Sequence, residues 1–275
     1  MQGALAQSKS GAPVFGRLYA SYTAAGIVGA ILTSAVHASG GFAVGTLLIA
    51  AACAAAMAFV SVRWADPTRE ARAARGDARP VPLPRAMIWA VGAFVFAAFV
   101  VDSAVASWST VYLQDGLKTS ASVAPLGYAA YLAVVLVSRM TADLLVKRLG
   151  GAVTVSIGIA SAVLGCLLVA AVPSPVGAVV GFAAAGAAAG LVVPVAFGRA
   201  GELCPARRDE VMARVNLFNY GGALIGAVVL GALSADSSAL AIGFVLPAVA
   251  MLAVIPLLRS LRSGSSVVPA GAVTQ

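Results

Sequence analysis

From Met87 to Tyr112 the chain is almost wholly apolar and carries a single charge, Asp102. A helix needs about 20 apolar residues to cross the ~30 Å hydrocarbon core of a bilayer. Seven further runs meet that requirement: Val14–His37, Gly41–Val62, Ala124–Lys147, Ala152–Val172, Pro175–Phe197, Val211–Leu233 and Ser238–Leu261. Inside a bilayer such a run must satisfy its own backbone polar groups, and a helix does so. The short alternating segments of a β-barrel are absent. Hydrophobic residues make up 61% of the chain and charged residues 10%, with a mean hydropathy of +0.97. A soluble domain of this size carries roughly 25% charged residues. The sequence therefore predicts an all-α integral membrane protein with about eight transmembrane helices. Its many alanines and 29 glycines suit helices packed through small residues.

One connection differs from the short turns HASGG, VPSP and SADSS. Residues 63–85 hold six arginines against Asp66, Glu70 and Asp77, together with four prolines, and contain no apolar window. They read as a solvated linker between two helices in residues 1–62 and six in residues 86–262. Residues 263–275 read as a disordered tail. With the N-terminus in the cytoplasm, 17 of the 18 basic residues fall at the cytoplasmic side, and Lys118 alone faces out. The bias of basic residues towards cytoplasmic loops selects that orientation, with both termini inside and the protein in a bacterial-type inner membrane. The net charge of +8 forms no continuous stripe, so no nucleic-acid partner is expected. Cys53, Cys166 and Cys204 show no metal or disulfide spacing, and Cys204 lies in a basic loop. One histidine, no paired acids within a helix and no phosphate-binding glycine loop leave no catalytic constellation and no cofactor site.

The stretch SRMTADLLVKRLG, Ser138 to Gly150, places charges between two apolar runs. Together with six helices after a long basic linker, it resembles the C-terminal half of a major facilitator superfamily transporter. Asp143 matches the acid of the superfamily's loop signature, and Lys147 and Arg148 match its trailing bases. Arg139, Leu144 and Val146 depart from the pattern. The resemblance implies that the first two segments correspond to the family's fifth and sixth helices, and that four helices lie outside this chain. DSAVASWSTVYLQD and RVNLFNYGGALIG add a likeness to a bacterial branch related to sugar–proton symporters. In such a protein the Arg139, Asp143, Lys147 and Arg148 turn would hold an inside gate shut. The alternative is that these residues only anchor a helix end at the headgroups. Arg139 stands four residues before Asp143 and could pair with it, although acid before base is the better order.

Asp102 is the sharpest candidate. It lies roughly 22 Å along its segment at a rise of 1.5 Å per residue. A carboxylate at that depth is costly and faces a cavity or a partner. It either binds solute or carries a coupled proton, or the helix ends early and Asp102 sits in external solvent. Asn216, Asn219 and Tyr220 form an i, i+3, i+4 polar face that either contacts solute or bonds across helices. Tyr128 and Tyr131 either stack on a sugar-like ring or pack at the interface. Trp64, Trp89, Trp108 and Tyr112 read as aromatic anchors at headgroup level. Gly186 and Gly190 form a GxxxG pattern that allows close helix approach. Pro125, Pro194 and Pro247 predict kinks.

These expectations converge on a secondary transporter for a small polar solute, working by alternating access and driven by an ion gradient, with the lipid bilayer as its other partner. A membrane subunit that acts only by packing on a partner is the alternative.

Overall fold

A computed structural model describes residues 14–38, 45, 48, 51–56, 59, 82–204, 207–233 and 239–262, and all described secondary structure is helical. The expected second segment, Gly41–Val62, and the linker with Trp64 lie largely or wholly outside the described residues. Helix α1 spans Val14–Ala38. Helix α2, Arg85–Val111, passes into a π turn at Tyr112–Gly116, and α3 spans Ala124–Leu149. Helix α4 is Gly151–Ala171, and α5, Pro175–Ala187, continues through a second π turn, Ala188–Val192, into α6, Val193–Leu203. Helix α7 is Arg208–Leu233. The last span is built from α8, Leu240–Gly243, α9, Val245–Ala253, and α10, Leu258–Arg262. Six of these helical stretches are long and apolar enough to cross a membrane, while the apolar part of α1, Ala24–Val36, is shorter.

Two of the three prolines interrupt helices for an identifiable reason. Pro194 has no N–H to give the carbonyl four residues back, and the π turn sits immediately before it. Pro247 follows the break between α8 and α9 in the same way. Pro125 is a correction. It occupies the first turn of α3, where its missing N–H would have had no helical partner, and it starts the helix instead of kinking it.

Glycines set the helix crossings. A Cβ added at Gly222 would meet the backbone at Phe96, and one at Gly226 the backbone at Val100 and Ala104. The two helices α2 and α7 therefore run in the same direction in a fixed register, and among the described residues they are the helices in most extensive contact. Helices α4 and α5 cross where a Cβ at Gly181 would stand 2.6 Å from the carbonyl oxygen of Gly165. Helix α5 packs on α3 through Gly186, whose added Cβ would stand 2.5 Å from the Tyr131 carbonyl oxygen, and the π turn that follows packs there through Gly190, which abuts Ser138. The GxxxG pattern thus brings α5 against the backbone that carries Tyr131. Helix α1 lies along α3, with Gly26 facing Leu132, and the Ser34 hydroxyl donates to the Ser122 carbonyl.

The end of the bundle where α2 finishes closes on an aromatic cluster. Tyr112 is 2% exposed, packs edge-on to Phe182 at 6.4 Å and near Phe244 at 6.0 Å, and donates to the Val169 carbonyl. Tyr112 is therefore part of the core, not an interfacial anchor. Hydropathy fixed its depth along α2 but not the side of the helix it occupies. Trp89 is exposed, and the Trp108 indole N–H donates to the Ala227 carbonyl at 2.8 Å, tying α2 to α7. Cys204, expected in a basic loop, is buried.

A candidate polar site between α2 and α3

Helix α2 continues well beyond Asp102, so the carboxylate sits within the span and not in external solvent. It is half-buried, and its partner comes from the neighbouring helix. The Tyr131 hydroxyl donates to Asp102 Oδ1 at 2.6 Å. Tyr131 has no exposed surface. The Tyr128 ring stacks on it, with centroids 6.0 Å apart and planes 12° apart. Tyr128, Tyr131, Val135 and Arg139 follow at i, i+3, i+7 and i+11, so they share one stripe of α3. Arg139 is half-buried and acts electrostatically on both Asp102 and Tyr131. Side chains on a helix lean towards its N-terminus, which inclines the long Arg139 arm towards Tyr131.

This arrangement brings Asp102, Tyr128, Tyr131 and Arg139 into one cluster. A phenol both donates and accepts, so the pair tolerates either protonation state. Tyr131 donates to the carboxylate, and a protonated Asp102 could donate to the phenol oxygen. The full burial of Tyr131 leaves its ring no face for a solute to stack on, whereas half-buried Tyr128 keeps some exposure. Sequence reasoning missed Ser109, seven residues after Asp102 on nearly the same face of α2. Its buried hydroxyl has no hydrogen-bond partner among the described residues. The spacing from Asp102 was the available signal. Among the described residues no group of histidine, cysteine and carboxylate side chains could hold a metal ion.

Residues 91–273 match the Major Facilitator Superfamily. The chain belongs to that superfamily. Two curated relatives agree. One, named as an uncharacterized transporter of Sinorhizobium fredii, is 27% identical over 152 residues, covering 55% of this chain and 40% of its own length. The other, an uncharacterized MFS-type transporter of Yersinia pestis, is 25% identical over 161 residues, covering 58% of this chain and 42% of its own length. The match spans about two-fifths of each relative.

The superfamily-like turn at the end of α3 is differently placed from the cluster. Asp143, Lys147 and Arg148 are exposed, and no ion pair joins Asp143 to Arg139 among the described residues. Lys147 and Arg148 occupy the last turn of α3, where cations meet the partial negative charge of the helix end. Gly150, at φ +83°, lets the chain reverse directly into α4.

Asn216, Asn219 and Tyr220 do not join the Asp102 cluster. The α2–α7 register sets Asn219 level with Ala93, nine residues from Asp102, or roughly 13 Å along the axis. The Asn219 amide donates to Asn216 Oδ1 at 3.3 Å, both are half-buried, and Tyr220 is exposed. A second charged group, not anticipated, lies at the α6–α7 turn. Glu210 accepts from Arg207 at 2.9 Å and from Arg214 at 2.8 Å, and Arg199 pairs with Glu202 at 2.9 Å.

Proposed function

We propose that these helices belong to a secondary transporter that moves a small polar solute by alternating access, with Asp102 carrying the coupled proton. The observation that carries this reading is the bond between Asp102 on α2 and Tyr131 on α3, inside the span, with Arg139 nearby. A carboxylate held at such depth by a partner on another helix is the kind of group that proton relays use. Changing its protonation changes what Tyr131 must do, and Tyr131 stands on the α3 backbone that α5 contacts through Gly186. That chain of contacts links a proton to the relative position of helices. Alternating access in this superfamily needs a second bundle facing this one, so transport is proposed for the assembled pathway and not for these spans in isolation. Names of the relatives do not say what they move, and the solute class remains that of small polar molecules, with a sugar as the first to try. We place the protein in an inner membrane with cytoplasmic termini, on the 17-to-1 distribution of its basic residues.

The test is a screen of radiolabelled sugars, amino acids and organic acids in proteoliposomes containing the complete transport protein, under an imposed proton gradient. An accumulated solute is then tested with Asp102→Asn. Loss of proton-driven accumulation with solute exchange retained supports the reading. Normal accumulation by a well-expressed Asp102→Asn protein removes the coupling role. Failure of every solute, in a protein shown to be inserted and folded, favours a subunit that acts by packing alone.

A further inference from the structure

Resting on the reading of the Asp102 cluster as the transport site, we propose that the solute is a small carboxylate and that Arg139 binds it. Arg139 stands ten residues before Leu149, where α3 ends, about 15 Å along the axis, and so lies within the span. Like Asp102 and Tyr128 it is half-buried, so three of the four side chains in the cluster keep exposed surface. Its charge acts on Asp102 across the helices.

The charges on the surrounding helices decide the sign of the solute. Helices α1, α2, α4 and α5 with its π turn pack on α3, and Asp102 is the only acid in their sequences. The titratable residues of α1 are Arg17, Tyr19, Tyr22 and His37, that of α4 is Cys166, and α5 with its π turn has none. On α6, Arg199 pairs with Glu202, which adds no net charge. Helices α8 and α9 carry no charge, and α10 brings only Arg259 and Arg262. On α7 the charged residues Asp209, Glu210 and Arg214 lie roughly 20 Å or more from the level of Asp102, and Asp115 lies about 20 Å beyond it. Asp143 stands exposed and makes no ion pair with Arg139 among the described residues. Asp102 is therefore the acid that balances Arg139 within the span.

Protonation removes that balance. With Asp102 ionised the two charges offset each other, and a second anion is repelled. With Asp102 protonated, Arg139 keeps its charge, and a cation without a counter-charge is costly at this depth. A carboxylate restores the balance. A guanidinium has five N–H donors, enough to hold a carboxylate by two of them beside the contacts it already makes. The proton on Asp102 and the anion on Arg139 together add no net charge, so the loaded site carries the same charge as the empty one. A neutral sugar would leave the protonated site with an unbalanced cation.

The complete protein in lipid nanodiscs is titrated by calorimetry with lactate, benzoate and gluconate, and with the uncharged counterparts lactamide, benzamide and glucose. Runs across a range of pH, in two buffers of different ionisation enthalpy, give affinity and proton uptake together. At least one carboxylate should bind where its counterpart does not, with about one proton taken up per anion. Its affinity should fall about tenfold per pH unit above the titration of Asp102. In Asp102→Asn the anion should bind without proton uptake, and its affinity should no longer follow pH. Arg139→Gln should weaken binding roughly tenfold or more, and Arg139→Lys, which keeps the charge, should recover part of it. Where Arg139→Gln does not fold, Arg139→Lys and the flat pH profile of Asp102→Asn carry the test. The proposal is overturned if no carboxylate binds, if acid and counterpart bind equally, or if Arg139→Gln binds as the native protein does. A carboxylate held through Arg139 without proton uptake keeps the anion site and sinks the coupling at Asp102. A neutral solute taken up with a proton does the reverse.

Discussion

Two stretches of α3 carry charge, and they behave differently. Around Tyr131 and Arg139 the helix is held from two sides: α5 presses its glycines on the backbone, and Asp102 reaches across from α2. From four residues further on, Asp143, Lys147 and Arg148 stand exposed on the last turns, with Asp143 in no ion pair among the described residues. In sequence Arg139 belongs to the second group, within SRMTADLLVKRLG. In space it belongs to the first. Cost explains the division. A charge within the span must find a partner, whereas a charge at the helix end can be solvated. The motif end is therefore left to solvent, while the inner cluster is built into the packing.

That contrast can be broken at several strengths. The largest effect is expected at Gly186. A leucine there drives a Cβ to 2.5 Å from the Tyr131 carbonyl oxygen, and backbone cannot swing aside as a flexible side chain can. Overpacking of this kind costs about 1–3 kcal/mol, and Gly186→Leu should lower the unfolding midpoint in detergent clearly. An unchanged midpoint would mean that α5 is not pressed on α3.

Tyr131→Phe comes next. It removes the donor to Asp102 while leaving the buried ring, and should cost about 1–2 kcal/mol. A double-mutant cycle with Asp102→Asn measures the coupling, and near-zero coupling would show that the bond contributes nothing. The smallest effect is expected from Asp143→Ala. Surface changes of this kind stay within about 0.5 kcal/mol, so stability should hardly move. If the turn is a gate contact, accessibility of single cysteines at the two membrane faces should nevertheless shift. An unmoved pattern leaves it a headgroup anchor. Lys147→Cys is the better reporter of sidedness, because Cys204 is buried and Lys147 is exposed. In intact cells an impermeant thiol reagent should label it only after permeabilisation.

Much of this fold was legible because membrane spans follow from local composition. The runs starting near Met87, Ala124 and Ala152 became helices with ends close to those expected, and GxxxG became a helix crossing. What the sequence withheld was azimuth. Hydropathy places Tyr112 near a membrane surface and says nothing about which side of α2 it takes, so its burial against Phe182 and Phe244 was invisible. The same limit applies to Arg139, whose nearest acid in sequence, Asp143, forms no ion pair with it among the described residues, while its charge acts on Asp102 across the helices. Asp102 could be recognised as misplaced in an apolar run. Its partner could not, because Tyr131 lies on another helix and nothing local marks it.

Asp102 and Tyr131 are proposed to act as one protonatable unit. Infrared difference spectroscopy of the purified protein in lipid, followed through a pH titration, tests it without knowledge of the solute. A carboxyl carbonyl band should appear as pH falls, be absent in Asp102→Asn, and change both frequency and midpoint in Tyr131→Phe. A titrating band that survives Asp102→Asn unchanged, or one indifferent to the loss of the Tyr131 hydroxyl, would contradict it.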